Sequence, residues 1–232
     1  MPGSSAKNPS TDNPEGTQKK TPEQEAPPKK TEYDKLPLPQ LIAKANAQNP
    51  IAQFELASRF NYGRGVPRNT NEALIWLRRS ATAGNADAAR LLAVKLFNGY
   101  DVPADHPEAL YWAKQIAEKG DLPAQLMVAN MYANGEGTPR DLVQSYKWFA
   151  IAAVAERPGA KKDDPQRDDL LKTAAEQRDK IGSLLTESEE RDAQNMASDW
   201  WLGKYAPQKA APAKAKTKKG KPRKKPGGKP AI

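Results

Sequence analysis

A stretch of 36 residues occurs three times in this chain, and it constrains the fold more than any other feature of the sequence. The copies begin at Asn49, Asn85 and Asp121 and align without gaps. A fixed period of this length is typical of a solenoid, in which each repeat buries its apolar face only by stacking on its neighbours. Among the positions that recur in all three copies are Ala52, Ala88 and Ala124; Gly63, Gly99 and Gly135; Pro67, Pro103 and Pro139; Trp76, Trp112 and Trp148; and Ala81, Ala117 and Ala153.

Each copy divides into two predicted helices, helix A and helix B. In the first copy Asn49 is a suitable N-cap for helix A, which continues to about Tyr62. Gly63 permits a positive φ angle and Pro67 prevents the helix from continuing. Asn69 is the predicted N-cap of helix B, and Gly84 stands where a left-handed C-cap is expected.

The apolar residues of the repeat predict which helix faces form the core. Positions 52, 56, 57 and 60 share one face of helix A, and positions 73, 76, 77, 80 and 81 share one face of helix B. A tryptophan recurs on the helix B face, so we predict that all three copies of it pack in the core rather than form a ligand-stacking array.

The segments on either side of the repeats define the predicted domain. We expect a folded domain over residues 36–203, with an N-terminal capping helix at 37–48, repeats at 49–84, 85–120 and 121–156, and a C-terminal helix pair at 167–203. Thr186 and Glu189 form a predicted capping box for the last helix. Residues 1–35 are rich in Pro, Lys and Glu, and residues 204–232 in Lys, Pro and Ala, so we predict that both termini are disordered.

The repeated pattern A-x-x-x-L-A-x-x-F/Y-x-x-G-x-G, followed by W-x-x-x-A-A, resembles the Sel1-like repeat, a relative of the tetratricopeptide repeat. The ending YKWFAIAA resembles the terminal repeats of bacterial members. Copy two departs from the pattern because Asp101 replaces the second loop glycine, which we expect to make that turn less permissive. The resemblance implies an all-α fold, a right-handed α/α superhelical solenoid, that acts as a scaffold or adaptor for other proteins.

Candidates for catalysis are few. The chain has no cysteine and one histidine, His106, which we interpret as a solvent-exposed turn residue because it occupies the repeat position of Thr70 and Leu142. No second histidine or cysteine can partner it in catalysis or metal binding. Asp163, Asp164, Asp168 and Asp169 alternate with basic residues near a predicted helix start, where negative charge is favourable in itself. We therefore predict a protein that is not an enzyme and that has no metal, cofactor or small-molecule substrate.

A binding surface is better supported by the sequence. If helix A lines the concave side of the solenoid, the face opposite its core stripe forms a groove with aromatic anchors and side-chain amides, which suits a peptide. Phe54, Tyr62 and Phe97 have an equal alternative, which is packing against adjacent helices. The predicted partner-binding residues are Phe54, Ser58, Tyr62, Arg90, Val94, Phe97, Asn98, Leu126, Asn130 and Asn134.

The basic character of the chain is concentrated at its C-terminal end. Residues 203–232 hold eleven basic and no acidic side chains, whereas residues 41–202 hold 20 basic and 22 acidic ones. The tail is a solubilising extension, a ligand for nucleic acid through counterion release, or a ligand for anionic membranes. The alternative function is therefore recruitment by a polyanion-binding tail formed by Lys214, Lys216, Lys218, Lys219, Lys221, Arg223, Lys224 and Lys225.

The sequence as given has no apolar run of the roughly 18 residues that cross a bilayer, and it does not start with a signal peptide. We therefore expect a cytoplasmic monomer. Removal of a signal peptide before the first residue would instead place the protein in the periplasm or outside the cell.

Overall fold

The computed structural model describes residues 31–154 and 165–205, and within these ranges it contains nine helices and no strand. The predicted all-α class is confirmed. Residues 1–30, 155–164 and 206–232 lie outside the described residues, and so do most of the residues predicted to be disordered. Residues 31–35 were also included in the disordered leader, but they are described and are held against the first repeat. The helices are α1 Leu38–Asn46, α2 Pro50–Tyr62, α3 Thr70–Thr82, α4 Ala86–Asn98, α5 His106–Ala117, α6 Leu122–Asn134, α7 Leu142–Ala152, α8 Pro165–Gly182 and α9 Glu187–Tyr205.

The three A helices, α2, α4 and α6, begin with the same cap. Asn49, Asn85 and Asp121 have φ and ψ angles of −71° and 115°, −70° and 112°, and −70° and 113°. In each case the side-chain oxygen accepts a hydrogen bond from a backbone N–H of the first helical turn, which satisfies a donor that has no partner within the helix. The repeats are therefore equivalent in backbone geometry as well as in sequence.

The A helices also end alike, at glycines in the left-handed region. Gly63, Gly99 and Gly135 have φ angles of 69°, 68° and 75°. The second loop position is left-handed in all three copies, including copy two, where Asp101 replaces the glycine. Asp101 adopts a φ of 58° and forms an ion pair with Arg68 of the preceding repeat. Aspartate is among the few residues other than glycine that tolerate this region, so the turn is preserved.

Helix packing produces one continuous core. Each A helix packs against the B helix of its own repeat, and α4 and α6 also pack against the B helix of the repeat before. Trp76, Trp112 and Trp148 are all buried in this core, which confirms their predicted structural role. The small residues Ala52 and Ala88 are fully buried, because they lie where neighbouring helices approach closely.

Residues 31–36 close the N-terminal end of the stack. The guanidinium group of Arg59 on α2 donates hydrogen bonds to the backbone carbonyls of Tyr33, Asp34 and Leu36 at 3.2, 2.8 and 2.7 Å. Arg64 donates to the Asp34 carboxylate at 2.8 Å. These contacts hold the segment before α1 against the first repeat.

The two C-terminal helices both pack on α7. Thr186 and Glu189 make the reciprocal hydrogen bonds of the predicted capping box at the start of α9. The Thr186 backbone N–H and hydroxyl donate to the Glu189 carboxylate at 2.9 and 2.8 Å, and both hydrogen bonds lower the pKa of Glu189 below its usual value. Towards its end α9 reaches back to α5, where Trp200 Nε1 donates to Glu118 Oε2 at 2.6 Å. The sequence did not predict this contact.

Candidate partner-binding surface

The partner-binding residues predicted in the first repeat are largely buried. Phe54 is 5% exposed and belongs to the hydrophobic core, and Ser58 is 1% exposed. Ser58 accepts a hydrogen bond from Arg64 at 2.8 Å, so the arginine side chain lies over it. Of the two alternatives for Phe54, packing against adjacent helices is the one observed. In this repeat only Tyr62 keeps a partly exposed side chain among the predicted contacts.

In the second repeat the predicted residues are partly exposed, and Arg90 already has partners. It donates to Asp87 at 2.6 Å and also bonds Asp121, the N-cap residue of α6. Burial is the largest single influence and lowers the pKa of Arg90, but the bonds and charges of the two aspartates together raise it above its usual value. Arg90 therefore joins α4 to α6 through a charge-assisted pair.

Phe97 lies at the end of α4 against the only histidine of the chain. The Phe97 and His106 rings stack with centroids 5.2 Å apart, and His106 Nε2 lies 3.2 Å from the Phe97 carbonyl oxygen. His106 is thus half-buried at the start of α5, rather than fully exposed in a turn as the sequence suggested. Val94 and Asn98 are half-buried beside Phe97, and the Asn98 amide donates to the Val94 carbonyl at 2.9 Å.

In the third repeat the predicted residues separate into two groups. Leu126 is 7% exposed and is part of the core, so it has little surface to offer a partner. Asn130 and Asn134 are exposed. The Asn130 amide donates to the Leu126 carbonyl at 3.0 Å, and the Asn134 amide to Glu136 at 3.4 Å.

Two half-buried apolar residues adjoin this surface and were missed from the sequence. Leu91 on α4 and Met127 on α6 occupy equivalent positions and pack partly against the core. The first repeat has Glu55 there, fully buried and bonded to Thr31, Arg59 and Arg64. The sequence does contain a signal for them: this repeat position is apolar in the second and third repeats and charged in the first.

The residues considered for metal binding or catalysis do not come together in a site within the described part of the chain. Within the described residues no group of three or more histidine, cysteine, aspartate or glutamate side chains is placed to hold a metal ion. Asp168 and Asp169 are exposed near the start of α8, while Asp163 and Asp164 lie outside the described residues. In the described ranges no helix is both long enough and apolar enough to cross a membrane.

Comparison with known proteins agrees with the repeat pattern. The Sel1 repeat family model matches residues 50–85, 86–121 and 122–153. The chain is similar to the crystal structure of a Sel1 repeat protein from Oxalobacter formigenes, at 29% identity and a TM-score of 0.48, over 59% of this chain and 97% of that one. It is also similar to a protective antigen of uropathogenic Escherichia coli that displays an SLR fold, at 24% identity and a TM-score of 0.43, over 83% of this chain and 45% of that one. No curated protein matches the sequence.

The family model covers the three copies almost without a gap, and its boundaries fall within one residue of the N-caps at Asn49, Asn85 and Asp121. The helix pairs seen between those boundaries, stacked on one shared core, are the architecture of an α-helical repeat solenoid. Proteins built from these repeats generally mediate protein–protein interactions. The chain carries three tandem Sel1 repeats and is a Sel1-like repeat protein.

Proposed function

We propose that the protein is a non-catalytic scaffold that binds a partner protein or peptide along the A helices of its second and third repeats. The observation that carries this proposal is a difference in burial within the same helices. Residues that recur between copies are buried, whereas those that differ between copies at the groove offsets, apart from the buried Leu126, stay at least partly exposed in α4 and α6. This A-helix surface consists of Arg90, Val94, Phe97, Asn98, Asn130 and Asn134.

The chemistry of the A-helix surface suits an extended or helical peptide. Val94 and Phe97 offer apolar contact area, and they adjoin the half-buried Leu91 and Met127. The side-chain amides of the asparagines can bond the backbone of a bound segment. Binding energy in such interfaces is concentrated in a few apolar anchors, while polar neighbours fix register and orientation.

Site-specific photocrosslinking tests this surface. Benzoylphenylalanine placed at Val94 or Asn130 is expected to crosslink a partner in the cells that make the protein, whereas the same group at the exposed position Thr173 on α8 is not. A second arm uses Val94→Lys with Asn130→Lys, which places two cations on the surface, and Thr173→Lys with Asn195→Lys as a matched control. Partner capture should be lost from the first pair and kept by the control. Equal capture by both pairs contradicts the proposal.

The alternative function rests on the eleven basic and no acidic residues at 203–232. In that case the tail directs the protein to a nucleic acid or an anionic membrane by charge, and the solenoid recruits a second protein. Deleting residues 206–232 leaves every described helix intact. If that deletion abolishes cellular recruitment while the Val94→Lys/Asn130→Lys variant does not, the alternative holds.

A further inference from the structure

A pocket of about 580 Å³ opens at the N-terminal end of the solenoid, between the C-terminal ends of α1 and α3. Asn46 and Gln48 line it from the α1 side, Arg79 and Thr82 from α3, and Gln53 from α2. Its volume lies in the range of sites that bind small molecules or side chains, roughly 300–1,000 Å³. None of these residues belongs to the A-helix surface.

The equivalent space two repeats further along the chain, between the ends of α5 and α7, is filled by a helix. Two repeats further along the chain, Glu118 stands at the position of Asn46 and Trp148 at the position of Trp76. There α9 of this same chain is seated. The Trp200 ring packs edge-on to Trp148 with centroids 6.3 Å apart, and its N–H bonds the Glu118 carboxylate at 2.6 Å. The space at the ends of successive B helices therefore accepts an indole carried by a helix.

At the first repeat the charges are different. Arg79 lies 4.6 Å above the Trp76 ring, is exposed, and has no carboxylate within ion-pair distance among the described residues. Its counterpart in the third repeat is Ile151. The neighbouring Arg78 is occupied, because it bonds Glu108 through two hydrogen bonds of 2.7 and 2.6 Å. The free guanidinium group thus adds a requirement for negative charge that the α9 contact does not have.

The wall of the pocket also contains one buried polar atom without a partner. Gln53 is 5% exposed, and its Nε2 donates to the Ala45 carbonyl at 3.0 Å. Its buried Oε1 has no hydrogen-bond partner among the described residues. A buried acceptor without a partner is costly, so a donor supplied by a bound group would be stabilising.

The rim of the pocket includes a residue in an unfavourable backbone conformation. Gln48 has a φ of 61°, at the position where the next two repeats have Gly84 and Gly120. A residue with a side chain is disfavoured in this region. Glycine would avoid that cost, but only a residue with a side chain places an amide at the rim of the pocket.

The residues of this chain outside the described ranges, 1–30, 155–164 and 206–232, contain no aromatic residue, and the last of these segments contains no acidic residue. We propose that the pocket is a second docking site, which binds a helical segment of a partner protein that carries an aromatic side chain with a carboxylate one helical turn away. The aromatic ring enters the pocket and the carboxylate pairs with Arg79.

A defined peptide tests this proposal on the full-length protein. The probe is a blocked, fluorescently labelled alanine-based helix with one tryptophan and a glutamate four residues before and after it. Its binding is followed by fluorescence anisotropy up to about 1 mM protein, the limit of weak specific association. The matched peptides replace both glutamates by lysine, or the tryptophan by alanine. We expect saturable binding of the probe and loss of at least about tenfold in affinity with either replacement.

Protein variants locate the binding. Arg79→Glu should lower the affinity for the probe by about tenfold or more. Gln115→Glu, at the same position of the second repeat, should leave that affinity unchanged. Gln48→Gly should raise the denaturation midpoint and lower the affinity for the probe. Because a destabilised fold would lower the midpoint, this combination separates lost binding from lost folding. Three outcomes overturn the proposal: no binding up to that concentration, equal binding by the Arg79→Glu and Gln115→Glu proteins, or equal binding of the lysine peptide.

The two proposed sites can fail separately. Val94→Lys with Asn130→Lys should leave probe binding unchanged, because neither residue lines the pocket. If that double variant loses the probe while Arg79→Glu keeps it, the peptide lies on the A-helix surface, and the pocket proposal is overturned while the proposed function stands.

Discussion

The second loop position of the repeat has the same backbone conformation in all three copies but different neighbouring atoms. Gly65, Asp101 and Gly137 are equivalent, with φ angles of 73°, 58° and 75°. A methyl group added at Gly65 would meet nothing within 4 Å. One added at Gly137 would lie 2.4 Å from the backbone carbonyl oxygen of His106, because the loop of the third repeat touches the start of α5. The equivalent positions therefore differ in steric freedom rather than in conformation.

This difference gives a matched pair of substitutions. Gly65→Ala should destabilise the protein by about 1–2 kcal/mol, the cost of a side chain in the left-handed region. Gly137→Ala should cost that amount plus about 1–3 kcal/mol for overpacking against backbone that cannot move aside cheaply. Urea denaturation of both variants measures the difference. Equal midpoints would show that the loop of the third repeat does not approach α5 as closely as described.

Residues that recur could be assigned from the sequence, whereas residues that vary could not. Trp76 and Ala52 were predicted to be buried from their period alone, and both are. Ser58 occupies a groove offset, yet Arg64 covers it and is itself held by Asp34 and Glu55. That cover depends on a segment more than 20 residues away in the chain, which periodicity does not report. The core was thus predictable, and the exposure of the candidate surface was not.

At the scale of helices, an ion pair couples the B helices of the first two repeats. Glu108 on α5 accepts two hydrogen bonds from Arg78 on α3 and one from Trp112 Nε1 at 3.1 Å. The hydrogen bonds from Arg78 are the main reason that the pKa of Glu108 lies below its usual value, although partial burial acts in the opposite direction. The carboxylate form is therefore favoured in the folded protein.

The pH dependence of stability should follow from this pair. A carboxyl group whose pKa is lowered on folding stabilises the protein above its unfolded pKa of about 4.5, and this contribution disappears as the pH falls through the lowered value. Below pH 4.5 the urea midpoint of the wild type should thus fall more steeply than that of Glu108→Gln. Glu72→Gln is the control, because Glu72 has the same position in the first repeat and no ion pair among the described residues. Parallel curves for wild type and Glu108→Gln would contradict the coupling.

Helix boundaries were predictable because their signals are local. The caps at Asn49, Asn69 and Thr186 are set by residues within one turn, and all three were identified from the sequence. The placement of α9 was not predictable, because its contact with α5 joins Trp200 to Glu118 across 82 residues of chain. No counterpart in the earlier repeats indicates that contact.

At the scale of the whole molecule, α9 completes the C-terminal end of the core. The B helix of the third repeat, α7, is more apolar than the others, and its Phe149 is 1% exposed. Because α8 and α9 both pack on α7, these helices take the place of a fourth repeat. Solenoids need such terminal elements, since the last repeat otherwise exposes the face that stacking should bury.

Truncation tests the role of α9. Deleting residues 186–232 should lower the thermal midpoint and expose enough apolar surface to increase binding of a hydrophobic dye, because it uncovers α7. Deleting only residues 206–232 should change neither, since the nine described helices remain. A midpoint that falls equally in both truncations would assign the stabilisation to the tail instead.

Because the N-caps of the A helices have nearly the same geometry, the gene can gain or lose whole repeats. A duplicated copy of residues 85–120 inserted after Gly120 would meet an equivalent junction on both sides, since Asn85 and Asp121 cap their helices with nearly the same angles. Recombination between repeats can then add or remove whole units without a new connection having to evolve. A longer descendant would carry more exposed positions along α4-like helices, while the pocket beside Gln48 and the closing helix α9 would be inherited unaltered at the two ends.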